Sequence, residues 1–449
     1  MDKTIKRLWP IHISAAALAL GMTALWLAEK APWYMLAVAA GLLAVLYAEQ
    51  WYLEKNFPKS SQLFGPIAFL LVISYLILLR LNVTFALKQM VWIISGAIAL
   101  ALAAWVIERV PKETVLKGQY FWLAVTIILL ALPLAMGVER GGARSWVYIG
   151  PVSVQPSELA KITFLLFMVS WYKNARVQNI RNILILLAGV LSVLALLVAQ
   201  VDLGGALIFY SIFIIIMYLS TGKRSWAIIG LVVLVAAGLL AYQCFGHVRV
   251  RVHTWWDPWS DPQNGGYQLI RSLGAFAAGR WLGTGLGQGQ PYLIPAAHTD
   301  FIFAVIGEQL GYVGCVVALA AYVHFLCLAC RRTVRIPTRG SFLLASGIAF
   351  FFIAQSFIII GGVTKFIPLT GVTLPFLSYG GSSLVTSMGA LGILIGLCQK
   401  QGEVVAIQER KIKRIRLAAI SVAVLLLMNL FYWQIIEGPE VIERMLELI

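Results

Sequence analysis

The 449-residue chain is poor in charge: Asp, Glu, Lys and Arg make up 12% of it against 60% hydrophobic residues, and the mean hydropathy is +0.86. A soluble globular domain carries about twice that charged fraction, so a water-soluble fold is excluded and an integral membrane protein is indicated. No polar stretch is long enough to form a folded soluble domain. Cysteine is scarce as well: the five residues are odd in number and scattered, and the close pair Cys327 and Cys330 falls at a helix end. Neither a disulfide framework nor a zinc site is supported, which leaves membrane packing as their role. Lys3, Lys6 and Arg7 precede the first apolar run, but no small-residue cleavage site follows, so that run is expected to be a retained helix rather than a signal peptide.

What the chain has in abundance is apolar runs long enough to cross a bilayer, on the order of 20 residues each. Hydropathy predicts about thirteen helices, centred near Leu18, Val38, Leu70, Ile98, Ile127, Phe167, Leu191, Ile214, Leu234, Leu319, Phe350, Gly389 and Leu425. The expected fold is an all-α polytopic membrane protein. With the N-terminus cytoplasmic, 23 of the 35 Lys and Arg fall on the cytoplasmic side, including the run "QERKIKRIR", as the charge bias of membrane loops requires. Lys30, Arg80, Lys88 and Arg444 lie in short loops or the tail and need no special explanation. Eight others, Arg140, Arg144, Lys161, Arg249, Arg251, Arg271, Arg280 and Lys365, gather in or beside three outer segments against that bias. An anionic ligand on the outer face is one reason for them; snorkelling to lipid phosphates is the other.

The first outer segment, "ERGGARSWVYIGPVSVQPSELAKITF", has Gly141 and Gly142 for a tight backbone, helix-breaking Pro151 and Pro156, and Ser157 as an expected N-cap. Glu158 and Lys161 sit three apart on one helical face, either as a mutual ion pair or with Lys161 meeting a substrate phosphate and Glu158 orienting it. The second segment, from about Phe245 to Thr299, interleaves tryptophans with arginines. Their rings suit an interfacial loop or stacking against sugars. Within it, the residues from Tyr267 to Trp281 read as a short amphipathic or re-entrant helix. The run Gly283, Gly285, Gly287, Gly289 superficially matches a dinucleotide loop, but no strand precedes it and the match is discarded. The third segment, "GGVTKFIPLTGVTLPFLSYGGSS", is apolar yet spaced with Gly and Pro so as to forbid a plain helix, and irregular backbone at that depth lines a covered cavity.

Carboxylates available on the outer side reduce, apart from Asp202, to Asp257, Asp261, Asp300 and Glu308. Asp257 and Asp261 precede prolines and suit turns. Asp300 opens a membrane helix, where it either caps exposed amides or acts on a ligand. Glu308, eight residues on, is expected on the same helical face. His298 and Asp300 are two ligand types that a divalent cation takes, too few to define a site.

The stretches "GGARSWVYIGPVSVQPSELAK", "QVDLGG", "DP...GYQ", "HTDFIFAVIGEQLGYVG" and "PLTGVTLPFLSYGGSS", in this order, resemble the successive motifs of the shape, elongation, division and sporulation (SEDS) family, which includes RodA, FtsW and SpoVE. The resemblance covers about Gly65 to Cys398 and implies a ten-helix core over 61–400. Residues 1–60 then add two N-terminal transmembrane helices, and 401–449 add a basic cytoplasmic segment and one C-terminal transmembrane helix. It further implies a peptidoglycan glycosyltransferase that polymerises lipid II on the outer face of the bacterial cytoplasmic membrane, beside a class B penicillin-binding protein transpeptidase. The family's essential aspartate falls on Asp300, as a general base in an inverting transfer with undecaprenyl pyrophosphate leaving. The expected substrate contacts are Arg144, Trp146, Glu158, Lys161, Arg249, Arg251, Arg271, His298, Glu308, Lys365 and Ser378. No cofactor is implied, a divalent cation being the one candidate, and no nucleic acid is expected as a partner.

Three positions depart from the commoner family pattern: Val201 for proline, Ala296 for glutamate and Lys365 for a small residue. They leave the subtype open among division, elongation and sporulation. Two other classes stay beside the enzyme reading. A lipid-linked precursor transporter needs charge along a two-sided path, whereas here charge crowds at one side; a non-catalytic scaffold of the cell-wall machinery has no need of Asp300.

Overall fold

An apolar run in hydrocarbon must satisfy its backbone N–H and C=O groups within itself, which makes the helix the conformation available to it. In the computed structural model, which describes residues 3–140, 142–150, 152–174 and 179–448, all thirteen expected helices are present. They are α1 (Lys3–Leu27), α2 (Met35–Asn56), α3 (Phe64–Leu81), α4 (Val83–Arg109) and, after the single turn α5 (Lys112–Val115), α6 (Gln119–Met136). There follow α7 (Pro156–Asn174), α8 (Ile180–Ala199), α9 (Leu203–Thr221), α10 (Arg224–Cys244), the shorter α11 (Gly246–Trp256) and α12 (Tyr267–Gly279), then α13 (Ile302–Thr333), α14 (Arg339–Val363), α15 (Gly381–Gln399), α16 (Ala406–Phe431) and α17 (Gly438–Leu446). Among the described residues, 11 helices are long and apolar enough to cross a membrane. The remaining two of the thirteen are α1, apolar over Ile11–Leu27, and α7, which carries Glu158, Lys161 and Lys173.

The bundle is built around α3 and α14, each 89% buried over its most apolar stretch, while α10 is 6% buried and turns its Ile, Leu and Val side chains outward. Lipid is as apolar as these side chains, so helices associate through close packing rather than through the hydrophobic effect. Small residues supply the close approach. Gly392 and Gly396, one turn apart on α15, lie against the backbone of Leu100 and Ala104 on α4, where any Cβ would collide. Gly96 of α4 receives Met388 in return.

The fold is all-α as expected, apart from one small sheet. Residues read as a loop between α6 and α7 form a three-stranded antiparallel sheet, β1 (Val138–Arg140), β2 (Ala143–Ile149) and β3 (Val152–Val154), in the order β1-β2-β3. Trp146 pairs with Val138, and Val147 pairs with Val154. Gly142 and Gly150, both with positive φ, make the two turns. The N-cap expectation for Ser157 also shifts: α7 starts at Pro156, where proline's missing N–H leaves no bond unmade. The short helix expected from Tyr267 to Trp281 is α12, ending at Gly279.

Candidate functional site

One end of the bundle carries irregular backbone from five places: β2 and β3, the α8–α9 connection, α11 with its following turns, the turn before α13, and the 364–380 segment. Together with the start of α4 they enclose a cavity of about 870 Å³. Trp146, Arg251, His298 and Asp300, all singled out in the sequence, line it, and so do Lys88 and Asp202.

Asp300 lies in a turn rather than in α13, whose N-cap position is Phe301. It faces Gly371 across the cavity, the Asp300 Oδ2 lying 3.8 Å from where a Cβ would be. Gly371 itself has φ +69°, the left-handed conformation that suits glycine. The two segments are stitched together. Ser378 donates its hydroxyl to the Thr299 carbonyl and accepts the Leu374 N–H at 2.8 Å, and the Tyr379 N–H donates to the His298 carbonyl at 2.8 Å. The His298 ring stacks on Phe85 with centroids 4.4 Å apart and planes 11° from parallel, and Tyr379 flanks both rings. Ser378 is therefore a tie between the two loops and is itself buried.

Arg251, half-buried on α11, donates to the Leu369 carbonyl at 3.4 Å. Burial pushes its guanidinium down from the usual arginine range, while Asp202 and Asp300 oppose that shift; a guanidinium stays charged regardless. Arg251 and both carboxylates line the same cavity. Asp202 is the N-cap of α9, its Oδ1 accepting the Gly205 N–H at 2.7 Å.

Other expected residues lie elsewhere. Glu158 and Lys161 form a buried ion pair of 2.8 Å. Lys161 also donates to Gln355 Oε1 at 2.9 Å, Glu158 accepts from Ser383 at 3.1 Å, and Gln355 donates to the Thr373 carbonyl at 2.9 Å. Lys161 is absent from the cavity lining, and the pair underpins Thr373, which is part of it. Glu308 does not share a face with Asp300, because Asp300 precedes the helix and the two-turn spacing does not apply. Its Oε1 accepts the Gln290 N–H at 2.7 Å and so fixes the glycine-rich loop, where Gly283, Gly285 and Gly287 all have positive φ.

Arg144 is exposed and donates to the Gly137 carbonyl at 3.1 Å; its β2 neighbours Ala143, Ser145 and Trp146 line the cavity, and Arg144 is not among the lining residues. Arg249 is exposed on α11, and the Arg271 guanidinium lies 5.2 Å from the Tyr267 ring centre. Arg280 is exposed, with φ 44° at the end of α12. Lys365 lies 4.6 Å over the Trp433 ring; burial pushes its ammonium down and nearby Asp257 opposes the shift. Asp257 and Asp261 stabilise turns, accepting the Trp259 and Gly265 N–H groups. The side chain of Arg140 lies outside the described residues. Sequence reasoning set Lys88 aside, although a lysine in the second turn of an apolar helix is itself a signal. Asp202 was visible only inside the "QVDLGG" stretch.

Fold and site together define a polytopic helical membrane protein with a polar, cation-bearing cavity at one end. The profile of the cell cycle protein family, named for FtsW, RodA and SpoVE, matches residues 59–402. The chain belongs to this family. It is 40% identical over 327 residues to the peptidoglycan glycosyltransferase RodA of Mycobacterium leprae, covering 69% of each chain. It is 36% identical over 296 residues to a probable peptidoglycan glycosyltransferase FtsW of Escherichia coli, covering 64% of this chain and 71% of that one. Among solved structures, Thermus thermophilus RodA superposes with a TM-score of 0.54 at 25% identity, over 76% of this chain and 97% of that one. A chain of a peptidoglycan synthase complex that coordinates polymerization and crosslinking superposes with a TM-score of 0.59 at 28% identity, over 74% and 96%.

Proposed function

We propose that this chain is a peptidoglycan glycosyltransferase that polymerises lipid II at the outer face of the cytoplasmic membrane, with Asp300 as general base. The observation that carries the reading is the position of Asp300 in a cavity shared with Arg251 and Lys88, within a family whose compared members bear that enzyme name. The acceptor sugar's 4-hydroxyl oxygen attacks the anomeric carbon of the donor, its proton passes to the Asp300 carboxylate, and the anomeric C–O bond to pyrophosphate breaks with inversion. The electron pair leaves on undecaprenyl pyrophosphate. Arg251 and Lys88 are the cavity cations placed to meet that charge. They take the place of Lys161 and Arg144 in this reading, neither of which is among the residues lining the cavity.

Asp300, Arg251 and Asp202 line the same cavity. No group of three His, Cys, Asp or Glu side chains able to hold a metal ion occurs among the described residues. A divalent cation here would complete its shell with water and substrate phosphate oxygens. A class B penicillin-binding protein transpeptidase is the partner this reading implies, in keeping with the synthase complex to which the fold is similar.

The test is conversion of labelled lipid II by the purified chain in lipid vesicles, with and without its transpeptidase partner. Glycan polymer with release of undecaprenyl pyrophosphate is expected. Lipid II moving across the bilayer without polymer identifies a transporter, and a requirement for the chain in a complex whose polymer comes from another subunit identifies a scaffold; either outcome contradicts the proposal.

A further inference from the structure

The family match ends at residue 402, yet the residues beyond it reach back to the walls of the cavity. A π-helical turn, Tyr432–Ile436, follows α16 and turns the chain into α17. From this region two polar side chains make three hydrogen bonds to backbone carbonyls of the core. Asn429 donates to the Thr364 carbonyl at 2.7 Å, at the start of the 364–380 segment. Gln434, 1% exposed, donates both to the Arg280 carbonyl at 2.9 Å, where α12 ends, and to the Gly307 carbonyl at 3.2 Å on α13. Both are carbonyls at or near a break in regular structure, Arg280 with its positive φ and Gly307 where Gly279 of α12 crosses without room for a Cβ. Buried carbonyls of this kind need a donor.

Apolar and cationic contacts run in the same direction. Leu269, Leu273 and Ala277 of α12 form a separate buried cluster with Val441 of α17, flanked by Trp259, Trp433 and Met445. Met445 fills the space over Gly274. Lys365 lies over Trp433, and the Arg444 guanidinium lies 5.7 Å from the Trp259 ring centre. Leu269 belongs to both structures: it is a member of the cluster with Val441 and lines the cavity.

We propose that the segment 429–445 is a positioning element that holds α12 and, at its start, the 364–380 segment, which together form two walls of the lipid-substrate cavity. This deepens the proposed function and rests on it. The bridging residues are positioning residues: Gln434 and Val441 act through α12, and Asn429 and Trp433 through residues 364–365. Freed from them, α12 keeps its contact with α13 but loses the support behind Leu269, so the wall loosens and the lipid-linked sugar binds less tightly. Removing the support therefore raises KM for lipid II more than it lowers kcat.

The test uses the full chain in lipid nanodiscs and compares Val441→Asp with Leu446→Asp, which places the same charge on the exposed side of α17. Amide exchange over residues 267–279 and lipid II polymerisation across substrate concentrations are read together. Val441→Asp is expected to speed exchange in α12 by on the order of tenfold, as release of a local cooperative unit does, and to raise KM several-fold; Leu446→Asp leaves both at the parent values. Gln434→Leu keeps the side-chain volume and serves if Val441→Asp does not fold, with the same direction expected. Unchanged exchange in α12 while α17 itself opens overturns the proposal, as does faster exchange with KM unaltered. A parent chain that makes no polymer contradicts the proposed function instead, and the exchange comparison then decides the positioning role by itself.

Discussion

Lys161 is 5% exposed and pairs with Glu158, 3% exposed, beneath the cavity floor. Removing one member of such a pair leaves an uncompensated buried charge, a cost of about 3–5 kcal/mol, whereas replacing both with apolar groups of similar volume is much milder. Lys161→Met or Glu158→Leu alone is therefore expected to lower the thermal unfolding temperature in detergent far more than the double substitution does. Equal losses in all three would show that the pair carries no such coupling. The residues bearing backbone strain are as telling. Val201, Ala296 and Lys365, the three positions that depart from the family pattern, each have positive φ, at 62°, 49° and 60°. Proline cannot adopt that conformation, so the backbone at 201 excludes it. A β-branched residue held there costs roughly 1–2 kcal/mol. Val201→Gly is expected to stabilise the chain by about that amount in an unfolding measurement. Asp300 was legible in the sequence because a carboxylate at a membrane edge is rare and expensive. Lys88 was not, because nothing in a linear sequence says that the start of α4 faces a loop more than 200 residues away.

At the scale of elements, the α4–α15 crossing depends on the absence of side chains at two positions and not at a third. A Cβ on Gly392 or Gly396 meets the α4 backbone, whereas one on Gly389 meets nothing within 4 Å. Gly396→Leu is expected to prevent the purified chain from remaining monodisperse in detergent, while Gly389→Ala leaves unfolding unchanged or slightly improved, alanine being the better helix former by up to about 1 kcal/mol. Helices were the legible elements, since 20-residue apolar runs have one conformation open to them in lipid. The sheet was less so: its strands are three to seven residues long and lie between glycines and prolines that signal turns just as well. The alternation Ser145, Val147, Ile149 was present but short. α12 was legible because its apolar face repeats over three turns; its second contact, with α17, depends on a tertiary meeting that no local pattern encodes.

The whole molecule carries a formal charge of +16, and its organisation separates two uses of that charge. One end collects the basic loops that set topology in the hydropathy reading, with Lys411 and Arg339 donating to the carbonyl end of α9. The other brings Arg251 and Lys88 to a cavity with Asp202 and Asp300. The crowding of cations at the outer segments was visible in sequence, but most of those cations prove to be tied to aromatic rings, carbonyls or a carboxylate, and the cavity retains a smaller set. The proposed function rests the chemistry on one carboxylate, Asp300. The direct test of that carboxylate compares lipid II polymerisation by the parent chain and by Asp300→Asn, reconstituted with the transpeptidase partner and matched for folding. A general base contributes typically 10²–10⁴-fold, so the variant is expected to lose polymer by at least about a hundredfold with lipid II binding retained. Polymer formed at the parent rate by a folded Asp300→Asn chain would contradict the assignment and move the base to another carboxylate of the cavity.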